Sequence, residues 1–81
     1  MRYLIKAVGN DVITTTESND LDFIIALFGE YYNSEFIHYD KIDLVDNTTG
    51  EILAYFYEDE DKGKIEFYWT LGKHTLPDII F

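Results

Sequence analysis

The chain has 81 residues and no cysteine, with 16 acidic against 6 basic side chains and a net charge of −10. That length predicts a single domain over residues 1–81, and the missing cysteines exclude a disulfide framework and a thiolate metal site. The acidity argues against direct binding of nucleic acid or of an anionic membrane surface, since both need a basic footprint. Seven Tyr, six Phe and one Trp supply the bulk that so small a core needs. No apolar run is long enough to span a bilayer, and the N-terminal residues do not read as a signal peptide, so a cytoplasmic protein is expected.

Residues 2–8, RYLIKAV, alternate, with Tyr3, Ile5 and Ala7 on one face and Arg2, Leu4 and Lys6 on the other. Gly9-Asn10 reads as a two-residue type II′ turn, and residues 12–16 return as a β-branched strand. The stretch 18–33, SNDLDFIIALFGEYYN, has helical period. Asn19 is the expected N-cap, and Asp20 and Asp22 place negative charge at the positive end of the helix dipole. Leu21, Ile24, Ile25, Phe28 and Tyr32 form the core stripe. Phe23, Leu27 and Tyr31 form a second apolar flank. Either a curled sheet or the C-terminal tail covers that flank, or it is a homodimer or docking face. Asn33 is expected to end the helix in left-handed geometry.

Residues 39–45 read as a strand and 46–50 as a turn. Residues 51–57, EILAYFY, are apolar on both faces and so belong in the middle of a sheet. In this reading Ile52, Ala54 and Phe56 meet the helix. Tyr55, Tyr57 and Tyr68, with Leu53, Glu51 and Glu66, form an amphipathic aromatic face suited to docking a protein, unless the tail or residues 31–36 cover it. Residues 58–63, EDEDKG, are a turn, and 64–71 are the last strand with Ile65, Phe67, Trp69 and Leu71 inward. Residues 72–77 break the strand, and the apolar tail 78–81 is expected to dock on the body. The order ββαβββ gives an α+β domain, an antiparallel sheet with one helix packed on one face.

No motif for a cofactor or for catalysis is present, so no cofactor and no enzymatic activity are expected. Asp59 and Asp61 have the first two calcium-loop spacings, but Gly63 falls one position early and Thr70 stands where the bidentate Glu belongs. His38 and Asp40, two apart on a strand, would share a face and could orient an imidazole for general-base work. No thiol accompanies them, and the only serines lie at the helix ends. His38 and His74 lack the spacing of a metal pair.

The acidity itself is the leading functional signal. Glu58, Asp59, Glu60 and Asp61 form a charged prong, and Asp40, Asp43 and Asp46 are the next candidates. If Asp40 and Asp46 lie beside the prong, one rim of the sheet is continuously negative. The expected function is an inhibitor or adaptor that binds a basic protein, such as a nuclease or another nucleic-acid-handling protein, in the manner of a DNA mimic. Phage-encoded antagonists of host defence share these bulk properties, an analogy that no motif supports. The alternative expectation is a domain that sequesters a nucleotide or other small molecule on the tyrosine face or in a dimer cleft.

Overall fold

The computed structural model describes residues 1–72, so the expectations for His74 and for the tail 78–81 lie outside the described residues. The elements are β1 (Tyr3–Gly9), β2 (Val12–Ser18), α1 (Leu21–Tyr32), β3 (Lys41–Asp46), β4 (Glu51–Asp59) and β5 (Lys64–Trp69). They form a five-stranded sheet in the order β2-β1-β3-β4-β5, with every neighbouring pair antiparallel. The helix packs on one face. The α+β architecture and the order ββαβββ are those that the hydrophobic periods dictate. The central strand is β3; β4, apolar on both faces, is interior but lies one place nearer the edge.

Local chemistry sets the joints. The first hairpin turns at Asn10 and Asp11, whose φ values are 50° and 63°, between the paired residues Gly9 and Val12. Two consecutive left-handed residues make this a type I′ turn, in place of the type II′ turn expected at Gly9-Asn10. Gly9 is needed for another reason. A Cβ there would fall 2.7 Å from Tyr39 Cα and closer still to the His38 carbonyl oxygen, so the strand end and the loop before β3 touch backbone to backbone.

The helix is capped by Asp20, not Asn19. The Asp20 carboxylate accepts from the amides of Asp22 at 3.0 Å and Phe23 at 3.3 Å. Asn19 is diverted, because its Oδ1 accepts from the Arg2 amide at 2.8 Å and ties the helix start to the first strand. At the other end Asn33 has φ −95° and donates its amide to the Gly29 carbonyl, so the left-handed stop expected there does not form.

Cross-strand register assigns the faces, since paired residues share one. On the helix side run the rows Thr16–Ile5–Leu44–Ala54–Trp69 and Thr14–Ala7–Ile42–Phe56–Phe67. Ile24, Ile25 and Phe28 of the helix complete this core. Phe28 is fully buried and meets Trp69 and Phe67 edge-on, at centroid distances of 5.7 and 6.2 Å. Tyr32 covers Phe56 at 4.9 Å. Ile52 departs from expectation. A register shift at Leu44/Val45 pairs Ile52 with Val45, which turns it to the other face, about half exposed. An extra residue in one strand reverses the alternation beyond it.

Candidate functional site

The nominated acids separate into three places. Asp40, Glu58, Asp59, Glu60 and Asp61 line one concave surface of about 550 Å³, together with His38, Lys41 and Tyr57. β4 continues to Asp59 instead of stopping at Tyr57, so Glu58 and Asp59 are strand residues and only the following residues turn. Gly63 closes that turn with φ 61°, and Asp59 Oδ1 accepts from the Lys62 amide at 3.3 Å. Across the rim the backbone is stitched: Asp40 donates its amide to the Val8 carbonyl at 2.9 Å, and Glu58 donates to the Asp40 carbonyl at 2.8 Å. The meander therefore sets the loop before β3 beside the end of β4, and carboxylates distant in sequence become neighbours.

Asp43 lies elsewhere. It sits on the face away from the helix, in the row Thr15–Lys6–Asp43–Tyr55–Tyr68, 3.8 Å from Lys41 Nζ. Asp46, nominated with the exposed acids, is instead buried and paired. It is 4% exposed, with Oδ2 taking Arg2 Nε at 3.2 Å and Nη2 at 3.1 Å, and Oδ1 taking the Thr48 amide at 2.9 Å. Burial pushes its carboxyl up. The hydrogen bonds from Arg2 and Thr48, the Arg2 charge and a further backbone hydrogen bond from Thr49 outweigh that and hold it below the ordinary range. Asp46 stands at the opposite end of β3 from Asp40, so the continuous edge joining Asp40, Asp46 and the prong does not exist.

His38 is in the loop, not on a strand with Asp40, and its partners are different. Nε2 lies 2.9 Å from Glu58 Oε2 and 3.4 Å from Glu60 Oε1. The ligand-type atoms of these three residues all lie within 4.8 Å of one another. No local signal marks this group, because it depends on the β3–β4 register. A second hollow of about 250 Å³ adjoins it, lined by Tyr32, Ser34, Tyr39, Phe56 and Ile65, with His38 and Glu58 forming the shared wall. Phe36, in the same loop, is 96% exposed, and Ile65 is 66% exposed.

The aromatic set keeps one face. Tyr55 and Tyr68 stack on the face away from the helix, centroids 5.4 Å apart and planes 23° from parallel, and Tyr57, paired with Lys41 and Glu66, shares that face while also lining the acidic concavity. Leu4, Val45 and Ile52 form the next row of that face. Lys64 stands there as well, 2.7 Å from Glu66 Oε1, and the hydrogen bond and charge of Glu66 raise its pKa above the ordinary value. The segment 31–36 does not cover this face: Tyr31 packs on Tyr39 at 5.2 Å, among the core residues. Of the second helix flank, Leu27 and Tyr31 are partly buried against the core and Phe23 is about half exposed. Among the described residues no helix is long and apolar enough to cross a membrane.

Comparison of the chain with protein-family models, with curated proteins and with solved structures gives no match in any of the three.

Proposed function

We propose that this chain is a non-catalytic acidic interaction protein, an inhibitor that engages the basic groove of a nucleic-acid-handling protein through the rim formed by Asp40 and Glu58–Asp61. The observation that supports this reading is the gathering of five carboxylates and a single lysine around one concave surface. That lysine, Lys41, has its ammonium 3.8 Å from Asp43 on the face away from the helix. Like charges brought together in a concavity focus the field outward and raise the local concentration of cations and the rate of encounter with a basic surface. The adjoining hollow beside Ile65 offers room for an apolar side chain of the same partner, so charge would steer the encounter and shape would add selectivity.

A titration of the isotopically labelled protein with an arginine-rich peptide, followed by backbone amide shifts, tests the location. The rim reading expects shifts concentrated at residues 38–41 and 57–61, with affinity falling roughly tenfold or more between about 50 and about 500 mM salt. Shifts at Asp20, Asp22 and Glu30 on the helix as large as those at the rim would show only diffuse attraction and would overturn it.

A further inference from the structure

We infer that His38, Glu58 and Glu60 form a binding site for a divalent first-row transition ion of the zinc type. The inference stands whether or not a basic partner docks on the rim.

An imidazole nitrogen and two carboxylate oxygens are a borderline donor set, suited to zinc and its neighbours, whereas calcium and magnesium prefer oxygen alone. An ion bound tetrahedrally at about 2.0–2.1 Å from each donor sets those donors about 3.3 Å apart. His38 Nε2 already lies 2.9 Å from Glu58 Oε2 and 3.4 Å from Glu60 Oε1, and the three donors span no more than 4.8 Å. The remaining adjustment falls on Glu60, whose side chain is 72% exposed and therefore free to swing.

The frame that holds the donors is independent of their charge. The His38 backbone rests against Gly9, where a Cβ would collide with it. Two residues on, Asp40 is hydrogen-bonded to Val8 on one side and to Glu58 on the other. Ser34 Oγ accepts from the Ile37 amide at 3.3 Å and shapes the approach to His38. The imidazole and Glu58 are thus brought together by strand pairing and a backbone contact, the kind of rigid support a metal site needs. All three residues line the larger hollow, and His38 and Glu58 line the smaller one as well, so an ion has a path to the group and water can take the remaining coordination positions. Asp40, Asp59 and Asp61 surround the site with further negative charge, which raises the local cation concentration.

Isothermal titration of the full chain with zinc chloride tests this, with magnesium chloride as the comparison ion. The expected result is one zinc per chain, weakened roughly tenfold or more in each of His38→Ala and Glu58→Gln. Magnesium should bind weakly and without regard to His38. Zinc affinity unchanged in His38→Ala would overturn the assignment, as would the absence of any zinc binding at millimolar concentration. His38 is exposed, so its replacement leaves the core in place. A near-identical amide spectrum of the variant outside residues 34–41 and 57–61 confirms that a loss reflects the missing ligand. Asp61→Asn removes the same charge as Glu58→Gln and serves as its control, and a loss equal to that of Glu58→Gln would contradict a site built on that carboxylate.

Discussion

Arg2 and Asp46 form a two-pronged contact in which Nε and Nη2 of the arginine both reach Oδ2 of the carboxylate, at 3.2 and 3.1 Å. The pair closes one end of the sheet. Arg2 also donates its amide to Asn19 before the helix and accepts the Asn47 amide at 2.7 Å from the β3–β4 turn. Asp46 is buried while the Arg2 side chain is about half exposed. Removing the arginine therefore leaves an uncompensated carboxylate, which costs more than the contact itself contributes. The Asp46 carboxyl is held below its ordinary value of 3.8. A depressed carboxyl stabilises the folded state fully above its unfolded pKa, and that contribution is lost as pH falls through the folded value. Thermal melts should show Asp46→Asn less stable than the parent at neutral pH, with the gap narrowing below about pH 4. A gap that persists or widens in acid would contradict this role.

Gly9 predicts a coupling between the first hairpin and the rim. Gly9→Ala puts a methyl group into the backbone of His38 and Tyr39. Backbone atoms cannot swing aside as a flexible side chain can, so the loop must move. A loss of about 1–3 kcal/mol is expected from chemical denaturation, together with amide shifts at residues 36–41. Unchanged loop resonances would show that the contact is not held in solution.

Phe28 is the centre of the core. It is fully buried between the helix and β5, with Trp69 and Phe67 edge-on to it. Phe28→Ala should cost about 3–5 kcal/mol, which is most of the stability of a domain this small. Trp69 is the only tryptophan in the chain, so its fluorescence reports the change directly. Its indole N–H is buried with no hydrogen-bond partner among the described residues.

The turn between β1 and β2 offers a stabilising change. Asp11 sits at φ 63°, a conformation that costs an ordinary L-residue about 1–2 kcal/mol and glycine nothing. Asp11→Gly completes the Asn-Gly pair that type I′ turns favour. It should raise stability by about 0.5–1 kcal/mol, since Asp tolerates this region better than most residues. A lower midpoint in urea would show that the Asp11 carboxylate has a role the turn geometry does not reveal.

The fold was legible because period and punctuation agree. The stripe Leu21, Ile24, Ile25, Phe28 and Tyr32 packs inward as its spacing requires, and Phe67 and Trp69 face it from β5. Details set by competition between neighbours were not legible. Asn19 and Asp20 are both good caps, and Arg2 settles the choice by occupying Asn19. Ile52 follows the alternation rule on paper, but the register shift at Leu44/Val45 reverses it. The candidate site was half legible. The prong announces itself as a charge run, and Asp40 joins it. The removal of Asp46 by Arg2 and the meeting of His38 with Glu58 depend on pairings that span 44 and 20 residues. Charge composition carries no information about either.

We propose that a basic protein recognises the rim formed by Asp40 and Glu58–Asp61. The most direct measurement is a pull-down with the tagged chain at about 50 and about 500 mM salt, which bracket weak and strong screening of exposed charge. It is run beside a variant carrying Glu58→Gln, Asp59→Asn, Glu60→Gln and Asp61→Asn. Folding of both baits is checked by thermal melts. The account predicts one basic nucleic-acid-handling protein retained by the parent at low salt, released at high salt and absent from the variant. Equal retention of that protein by the folded variant would contradict the claim and move the recognition surface away from the rim.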